Sequence, residues 1–317
     1  MTTAKHSSDY IKKILDPPKD LTDGPDGVLP LTRPISKPSS ETTKSSSIKI
    51  CPLFEVYETL RKEIDKRTTV PKHKTGLSDL DEAIWGLHKQ QLLTIKAATS
   101  QGKSALALHI AKNLADTGNR IVYFSLEMSK EQLVERLLSA FGKIDNYLLR
   151  SGKANAQVES IHSAFTNWIE NLYMLIDDQY GFYYDSMVEV CEIIKPDFVV
   201  LDYIQMISTK GFKSKLEAIE EYVRKLKHLS ISMNFGTILI SQMNKEERAK
   251  WASMIDEHSD TLLLPAWEWE TDDYIIKIPK QRHGEVYNTG IRVKFIPKLF
   301  TFQDMPGDDV QPQEYIK

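Results

Sequence analysis

The eight residues Ala97-Ala-Thr-Ser-Gln-Gly-Lys-Ser104 bring a small, pliable loop, a cation and a hydroxyl together in one stretch. An apolar run, Leu92 to Ala97, precedes them, and Leu106, Ala107, Ile110, Ala111 and Leu114 follow at helical spacing. A strand, a tight loop and a helix start in that order turn several backbone N–H groups toward one point, as a phosphate anion requires. Ala97, Ala98, Thr99, Ser100, Gln101 and Gly102 would then wrap the phosphates. Lys103 would meet the β- and γ-phosphates, and the Ser104 hydroxyl would ligate Mg²⁺. The strict form of this loop opens on glycine, and here Ala97 stands in that place.

Three further polar side chains close apolar runs. Glu127 follows Ile121–Leu126, Asp202 follows Phe198–Leu201, and Gln242 follows Thr237–Ser241. In an open parallel sheet, ligands sit beyond the carboxyl ends of the strands, so all three would face the same crevice as Lys103. Asp202 suits a second Mg²⁺ contact, made through water. Glu127 suits the base that orients and deprotonates an attacking water, and Gln242 suits a sensor of the γ-phosphate. The competing reading of each is a residue that caps a strand end or turn.

The elements needed to hold these groups are visible in the alternation of patterns. Strands are expected at Leu92–Ala97, Ile121–Leu126, Leu172–Ile176, Phe198–Leu201 and Thr237–Ile240. Helices are expected from Leu106 to Leu114, at Ser129–Phe141, near Ser186–Ile194 and at Leu216–Met233, with Ser129 and Gln132 at capping-box spacing. Strand alternating with helix implies crossover units and a mainly parallel sheet covered on both faces. Four later runs, Leu262–Leu264, Tyr274–Ile278, Ile291–Phe295 and Leu299–Phe302, read as an antiparallel meander.

Ahead of this core, Pro52 opens a segment with Leu53, Val56, Tyr57, Leu60 and Ile64 on one helical stripe, expected as a helix over Pro52–Arg67. So short a helix is marginal alone and its stripe must dock on something. Of the first 47 residues, 20 are Pro, Ser or Thr, a composition that cannot offset the entropy of ordering, so a disordered tail is expected. Within it Asp9–Leu15 could form a helical turn and Val28–Leu31 an apolar hook. The boundaries expected are a tail at 1–47, a linker helix segment at 48–74, the core at 75–303 and a C-terminal tail at 304–317.

The full chain of 317 residues is 41% hydrophobic and 27% charged, which supports a sizeable core. Its two cysteines, Cys51 and Cys191, are too few for a disulfide scaffold or a cysteine-rich zinc site. No apolar run approaches a membrane span and no leader segment is apparent, so a cytoplasmic location is expected (a host's cytoplasm, for a viral chain). A net charge of −3 excludes a chain coated in basic charge, yet leaves room for a local basic stripe.

Several segments taken together resemble the DnaB family of ring-forming replicative DNA helicases. They are Thr75-Gly-Leu-Ser-Asp-Leu-Asp81, Ser100-Gln-Gly-Lys-Ser104, Phe124-Ser-Leu-Glu-Met-Ser-Lys-Glu-Gln-Leu-Val-Glu-Arg-Leu-Leu138, Leu201-Asp-Tyr-Ile-Gln-Met206, Ser241-Gln-Met-Asn244 and Lys280-Gln-Arg-His-Gly284. The likeness runs from about Ile50 to Phe302 and extends to the alanine at the head of the phosphate loop. It implies an α/β fold, a RecA-like P-loop ATPase core with a central, mainly parallel sheet, preceded here by a linker helix and a disordered tail. By position it implies Lys103 and Ser104 as the phosphate-loop pair, Glu127 as catalytic base, Asp202 as the Mg²⁺-associated aspartate and Gln242 as γ-phosphate sensor, with ATP and Mg²⁺ as ligands. Lys280 and Arg282 resemble the pair that enters a neighbouring subunit's site, with Arg282 as arginine finger; strand alternation sends both to one face.

The resemblance also implies a homo-oligomer, a hexamer, around single-stranded DNA. Lys210, Lys213 and Lys215 around Gly211, and Lys245, Arg248 and Lys250 after Gln242, are the candidate DNA contacts, with a solvated charge run as the competing reading. Two features depart from the family pattern. A polar tail stands where a helical N-terminal domain is usual, so a primase-binding or collar role is not carried over, although the tail could engage a primase, polymerase or loader. The stretch between Gln242 and Lys280 is short and holds Trp251, Trp267 and Trp269, expected in packing rather than on bases. The expected activity is that of an ATP-dependent translocase or replicative helicase on single-stranded DNA. The alternative is a RecA-type ATPase acting as loader, remodeller or recombination accessory without unwinding.

Overall fold

A computed structural model describes residues 53–64, 73–169, 172–176, 184–243, 250–268 and 273–305, and every structural statement concerns those residues. The expected tail, including Asp9–Leu15 and Val28–Leu31, lies outside them. Helix α1 (Leu53–Ile64) belongs to a compact unit distinct from the core. Leu53, Tyr57, Leu60 and Ile64, on its apolar stripe, are all exposed, as is Phe54. Arg61 and Lys62 occupy the last turn, where cations suit the negative end of the helix dipole.

The core begins with α2 (Ser78–Ile84), whose entry is tied by the buried Asp81 carboxylate accepting from Thr75 N (2.6 Å) and Gly76 N (3.2 Å). Then β1 (Leu92–Ala97), α3 (Lys103–Asp116), β2 (Ile121–Ser125), α4 (Lys130–Gly142), α5 (Asn146–Arg150), α6 (Asn155–Ile169), β3 (Leu172–Ile176), α7 (Tyr184–Ile194), β4 (Phe198–Asp202), α8 (Lys215–Met233) and β5 (Gly236–Gln242) alternate as crossover units. After α9 (Lys250–His258) come β6 (Thr261–Glu268), β7 (Asp273–Gln281), β8 (Tyr287–Ile296) and β9 (Thr301–Asp304).

These strands form one nine-stranded sheet in the order β3-β2-β4-β5-β1-β6-β7-β8-β9. From β3 to β6 every pairing is parallel, and from β6 to β9 every pairing is antiparallel. The meander therefore does not stand apart: its first strand pairs with β1 through Leu93↔Thr261 and extends the main sheet. Its strands also run longer than their apolar runs suggest: β7 reaches Asp273 at one end and Gln281 at the other, paired with Glu268 and Thr261, and β8 starts at Tyr287, paired with Ile278. By contrast, β1, β2 and β4 are buried at every position, the mark of strands covered on both faces.

The expected capping box is present: Ser129 Oγ accepts from Gln132 N while Gln132 Oε1 accepts from Ser129 N at 3.1 Å, fixing the start of α4 three residues beyond Glu127. Helices α2, α5, α6 and α9 have no counterpart among the sequence expectations. Among them α6 closes one flank of α3 and α4. Phe165 and Trp168 pack on Phe141 with ring centroids 5.4 and 5.3 Å apart, and Trp168 Nε1 donates to Asp116 at 2.5 Å.

Strand β9 is fastened to α3 by His109, whose Nδ1 accepts the Phe302 N–H at 3.3 Å and lies 3.2 Å from Thr301 Oγ1. Burial pushes its pKa down from 6.5 to about 4, and Lys112 adds to the fall while Asp116 and Asp304 oppose it. The folded chain thus holds His109 neutral at a pH where the unfolded chain binds a proton. Stability from this site is complete above about 6.5 and is lost as pH falls toward 4. Substituting His109→Gln should flatten that part of the stability curve, read from denaturant midpoints between those two pH values; an unchanged slope would exclude His109 as its source.

Candidate active site

The phosphate loop leaves β1 at Ala97 and enters α3 at Lys103. Gly102 caps the helix with φ +71°, and a Cβ there would come within 3.2 Å of the Tyr274 hydroxyl. Both conditions call for glycine. The loop is braced by three strands that sequence distance hides. Gln242 Nε2 at the end of β5 donates to Thr99 Oγ1 (2.7 Å), and Met243 N to Ala97 O (2.9 Å). From β6, Trp267 N donates to Gln101 Oε1 (2.7 Å), and from β7 the buried Tyr274 hydroxyl donates to Gln101 O (2.9 Å). Lys103 Nζ folds back onto Ala98 O at 2.7 Å.

Asp202 ends β4 with Oδ2 accepting from the Tyr123 hydroxyl at 2.8 Å. Its Oδ1 is buried without a hydrogen-bond partner of good geometry. Burial raises its pKa; the Tyr123 and Ser104 hydroxyls and the Lys103 charge oppose that rise, and Glu127 adds to it. Burial in turn lowers the pKa of Lys103, against the pull of Asp202 and Glu127. Glu127, just past β2, is exposed. Gln205, in the short helical turn Ile204–Met206 after β4, fixes the end of β5: its Nε2 donates to Ser241 Oγ (2.9 Å) and Gln242 O (3.1 Å), while its Oε1 accepts from Gln242 N (3.1 Å).

Lys103, Ser104, Glu127, Asp202 and Gln242 therefore meet at the carboxyl ends of β1, β2, β4 and β5, beside residues 97–102. Tyr123, Gln205 and Tyr274 join them without having been singled out in the sequence. Tyr123 and Tyr274 are hidden there because a tyrosine in an apolar run reads as core; Gln205 carried a signal, an amide within Leu201-Asp-Tyr-Ile-Gln205 that a strand exit does not need.

Lys280 and Arg282 lie elsewhere. Tyr274 touches the loop near one end of β7, and Arg282 follows the other end eight residues on, roughly 25 Å at strand rise. There Lys280 Nζ donates to the carbonyls of Asp256 and Glu257, and Arg282 to Glu257 O (2.8 Å) and Asp260 Oδ1 (3.1 Å). Both side chains thus turn to the C-terminal end of α9. Lys210 and Lys213 are exposed in the segment that joins β4 to α8, and Lys215 is exposed at the first position of α8. Phe212 between them sits on Tyr222 at 6.0 Å. Lys245 and Arg248 fall outside the described residues, as does the side chain of Lys250. Of the three tryptophans, Trp267 packs edge-on against Phe295 at 5.1 Å; the side chain of Trp251, and Trp269, are not among the described residues.

A phosphate-type loop between a buried parallel strand and a helix, with an aspartate, a glutamate and a glutamine at neighbouring strand ends, defines a P-loop ATPase domain of the RecA type. The chain belongs to the DnaB-like helicase C-terminal domain family, whose model matches residues 73–260. The replicative DNA helicase DnaB of Geobacillus stearothermophilus is 29% identical over 200 residues, covering 61% of this chain and 44% of that protein. A probable plasmid replicative DNA helicase of Chlamydia psittaci is 26% identical over 252 residues, covering 72% of this chain and 55% of its own length. The chain thus spans about half the length of the curated relatives it matches. Among solved structures, an isolated ATPase domain superposes with TM-score 0.73 at 20% identity, covering 81% of this chain and 100% of that one. A DnaB-like replicative helicase, studied with its interactions with primase, gives 0.69 at 21% identity over 83% of this chain and 69% of that one. These likenesses establish the fold.

Replacing Tyr274→Phe removes the donor to Gln101 O while keeping the ring. Stability should drop by about 1 kcal/mol in a denaturant titration. A fluorescent ATP analogue should also bind several-fold more weakly; unchanged nucleotide affinity would show that the brace is not needed to shape the loop.

Proposed function

We propose that this chain is the motor of an ATP-driven, ring-shaped translocase on single-stranded DNA, a replicative helicase working in the cytoplasm as a homo-oligomer, a hexamer. One observation carries the reading: five polar groups gather at one end of the sheet while Lys280 and Arg282 stand at the other. A chain built this way cannot bring its own arginine to its own phosphates. A second copy can, and a closed ring gives every site one.

Within a site, the N–H groups of residues 97–102 and Lys103 would hold the ATP phosphates. Lys103 must leave Ala98 O to do so, a short swing that trades a carbonyl for an anion. Glu127 would take the proton of the attacking water, and Gln242 would feel the γ-phosphate from its place on Thr99. The orphaned Asp202 Oδ1, with the Ser104 hydroxyl beside the same carboxylate, is a hard-oxygen donor set that fits a hydrated Mg²⁺. That ion would offset phosphate charge. No cluster of three or more His, Cys, Asp or Glu side chains suited to a metal occurs among the described residues. Tyr123 holds the aspartate in place for it.

The exposed lysines 210, 213 and 215 start eight residues after Asp202, so changes at the phosphates have a short path to a basic ring around DNA. A replication partner, a primase, polymerase or loader, would meet the N-terminal segment. No described helix is long and apolar enough to cross a membrane.

Two measurements test the reading. Mixed at equal amounts, inactive Glu127→Gln and Arg282→Ala subunits should recover activity, because about a quarter of interfaces then pair an intact base with an intact arginine. No recovery at any ratio sinks the shared site. Single-stranded DNA should stimulate hydrolysis, and alanine at Lys210, Lys213 and Lys215 together should abolish the stimulation while sparing basal turnover. Hydrolysis indifferent to DNA would instead favour a loader or remodeller.

A further inference from the structure

The pair at the far end of the sheet is held in an arrangement that goes beyond a basic turn at the surface. Asp260 lies between α9 and β6 with its side chain 5% exposed. One oxygen, Oδ2, accepts from Leu92 N at 2.7 Å and from Lys227 Nζ at 2.5 Å. The other, Oδ1, accepts from Arg282 Nη1 at 3.1 Å. The backbone repeats the connection: Asp260 N donates to Leu92 O at 2.9 Å, and Arg282 N donates to Asp260 O at 2.8 Å. Arg282 is thus gripped at main chain and side chain by one residue, and that residue is bolted to the first position of β1.

Charge balance shows what the grip is for. Lys227 already neutralises the buried carboxylate, so Asp260 does not need Arg282 as a counter-ion. The arginine side chain is 43% exposed, and an ion pair on that side contributes little to folding. What the contact does is fix direction. A guanidinium has five N–H donors in a rigid fork. Asp260 Oδ1 and Glu257 O engage Nη1 and Nη2, leaving further N–H donors on the fork for another acceptor.

We infer that Asp260 is the positioning residue for Arg282, holding its guanidinium at the orientation in which a neighbouring copy's phosphates receive it. The inference rests on Arg282 acting in trans. Asp260 itself touches no nucleotide; it acts only through the arginine, as an orienting carboxylate does for a catalytic cation. The tie through Leu92 places that orientation at one end of the strand whose other end carries the chain's own phosphate loop.

The test uses full-length protein and steady-state ATP hydrolysis. In Asp260→Asn, kcat should fall about ten- to a hundred-fold, the usual consequence of a misplaced group, while KM for ATP stays unchanged because the loop is intact. Asp260→Asn combined with Arg282→Ala should be no worse than Arg282→Ala alone. Asp260→Asn subunits mixed with Glu127→Gln subunits should recover activity, which a general loss of structure would not allow. Wild-type or raised kcat in Asp260→Asn, beside an inactive Arg282→Ala, overturns the role of Asp260 and leaves the trans arginine standing. Full activity in Arg282→Ala overturns the trans arginine itself and the inference with it. If Asp260→Asn does not fold, Asp260→Glu keeps the charge beside Lys227 but moves it by one methylene. The same loss in kcat is expected there, and wild-type turnover from that variant also overturns the role.

Discussion

A loop that binds phosphate must keep its N–H groups unpaired and its carbonyls turned away, and in isolation a chain does the reverse by folding onto itself. Here the carbonyls are occupied from outside. Ala97 O takes Met243 N, Ala98 O takes the Lys103 ammonium, and Gln101 O takes the Tyr274 hydroxyl. These contacts hold the three carbonyls in place on the side of the loop that faces the sheet and α3. Apart from the Lys103 contact, the braces come from elements remote in sequence, so the loop has its shape only when β5, β6 and β7 are in place beside β1. The antiparallel extension of the sheet is part of the site for that reason.

The same sheet separates charge. The strands β1, β2 and β4 are buried on both faces, and the charged groups of both clusters stand at or beyond the strand ends. At the carboxyl ends, Lys103 and Asp202 are both buried, each desolvated and each easing the other's ionisation. At the opposite end Lys227, Asp260 and Arg282 form a second cluster. The protomer thus carries a charged cluster at each end of an apolar middle.

Much of this was legible in the sequence, for identifiable reasons. Parallel strands buried on both faces are short apolar runs, and the loop and the strand-end residues Glu127, Asp202 and Gln242 interrupt such runs abruptly. The capping box at Ser129 and Gln132 is a local pattern and was readable as one. What escaped depends on contacts at long range. Tyr123 and Tyr274 look like core until a hydroxyl partner is seen, and Asp260 looks like a turn residue until Leu92, 168 positions away, is placed against it. Helix α6 does carry Val158, Ile161, Phe165 and Trp168 at helical steps, so its absence from the expectations is a matter of counting rather than physics. The parallel pairing of β6 with β1 is different: no local pattern says which edge a meander joins.

Strand β1 links the two ends. Its last residue opens the phosphate loop, and its first holds Asp260 by two backbone-mediated bonds. One position before the loop, Lys96 pairs with Asp256 at 2.9 Å, and the carbonyl of that same Asp256 accepts from Lys280. Helix α9 is therefore tied to β1 beside the loop and to the basic pair at its own C-terminus. A strand buried on both faces does not bend without opening its packing, so a displacement at one end must appear as a shift of the whole lever. The end of β1 that carries the loop and the end that holds Asp260, and through it Arg282, are then mechanically coupled.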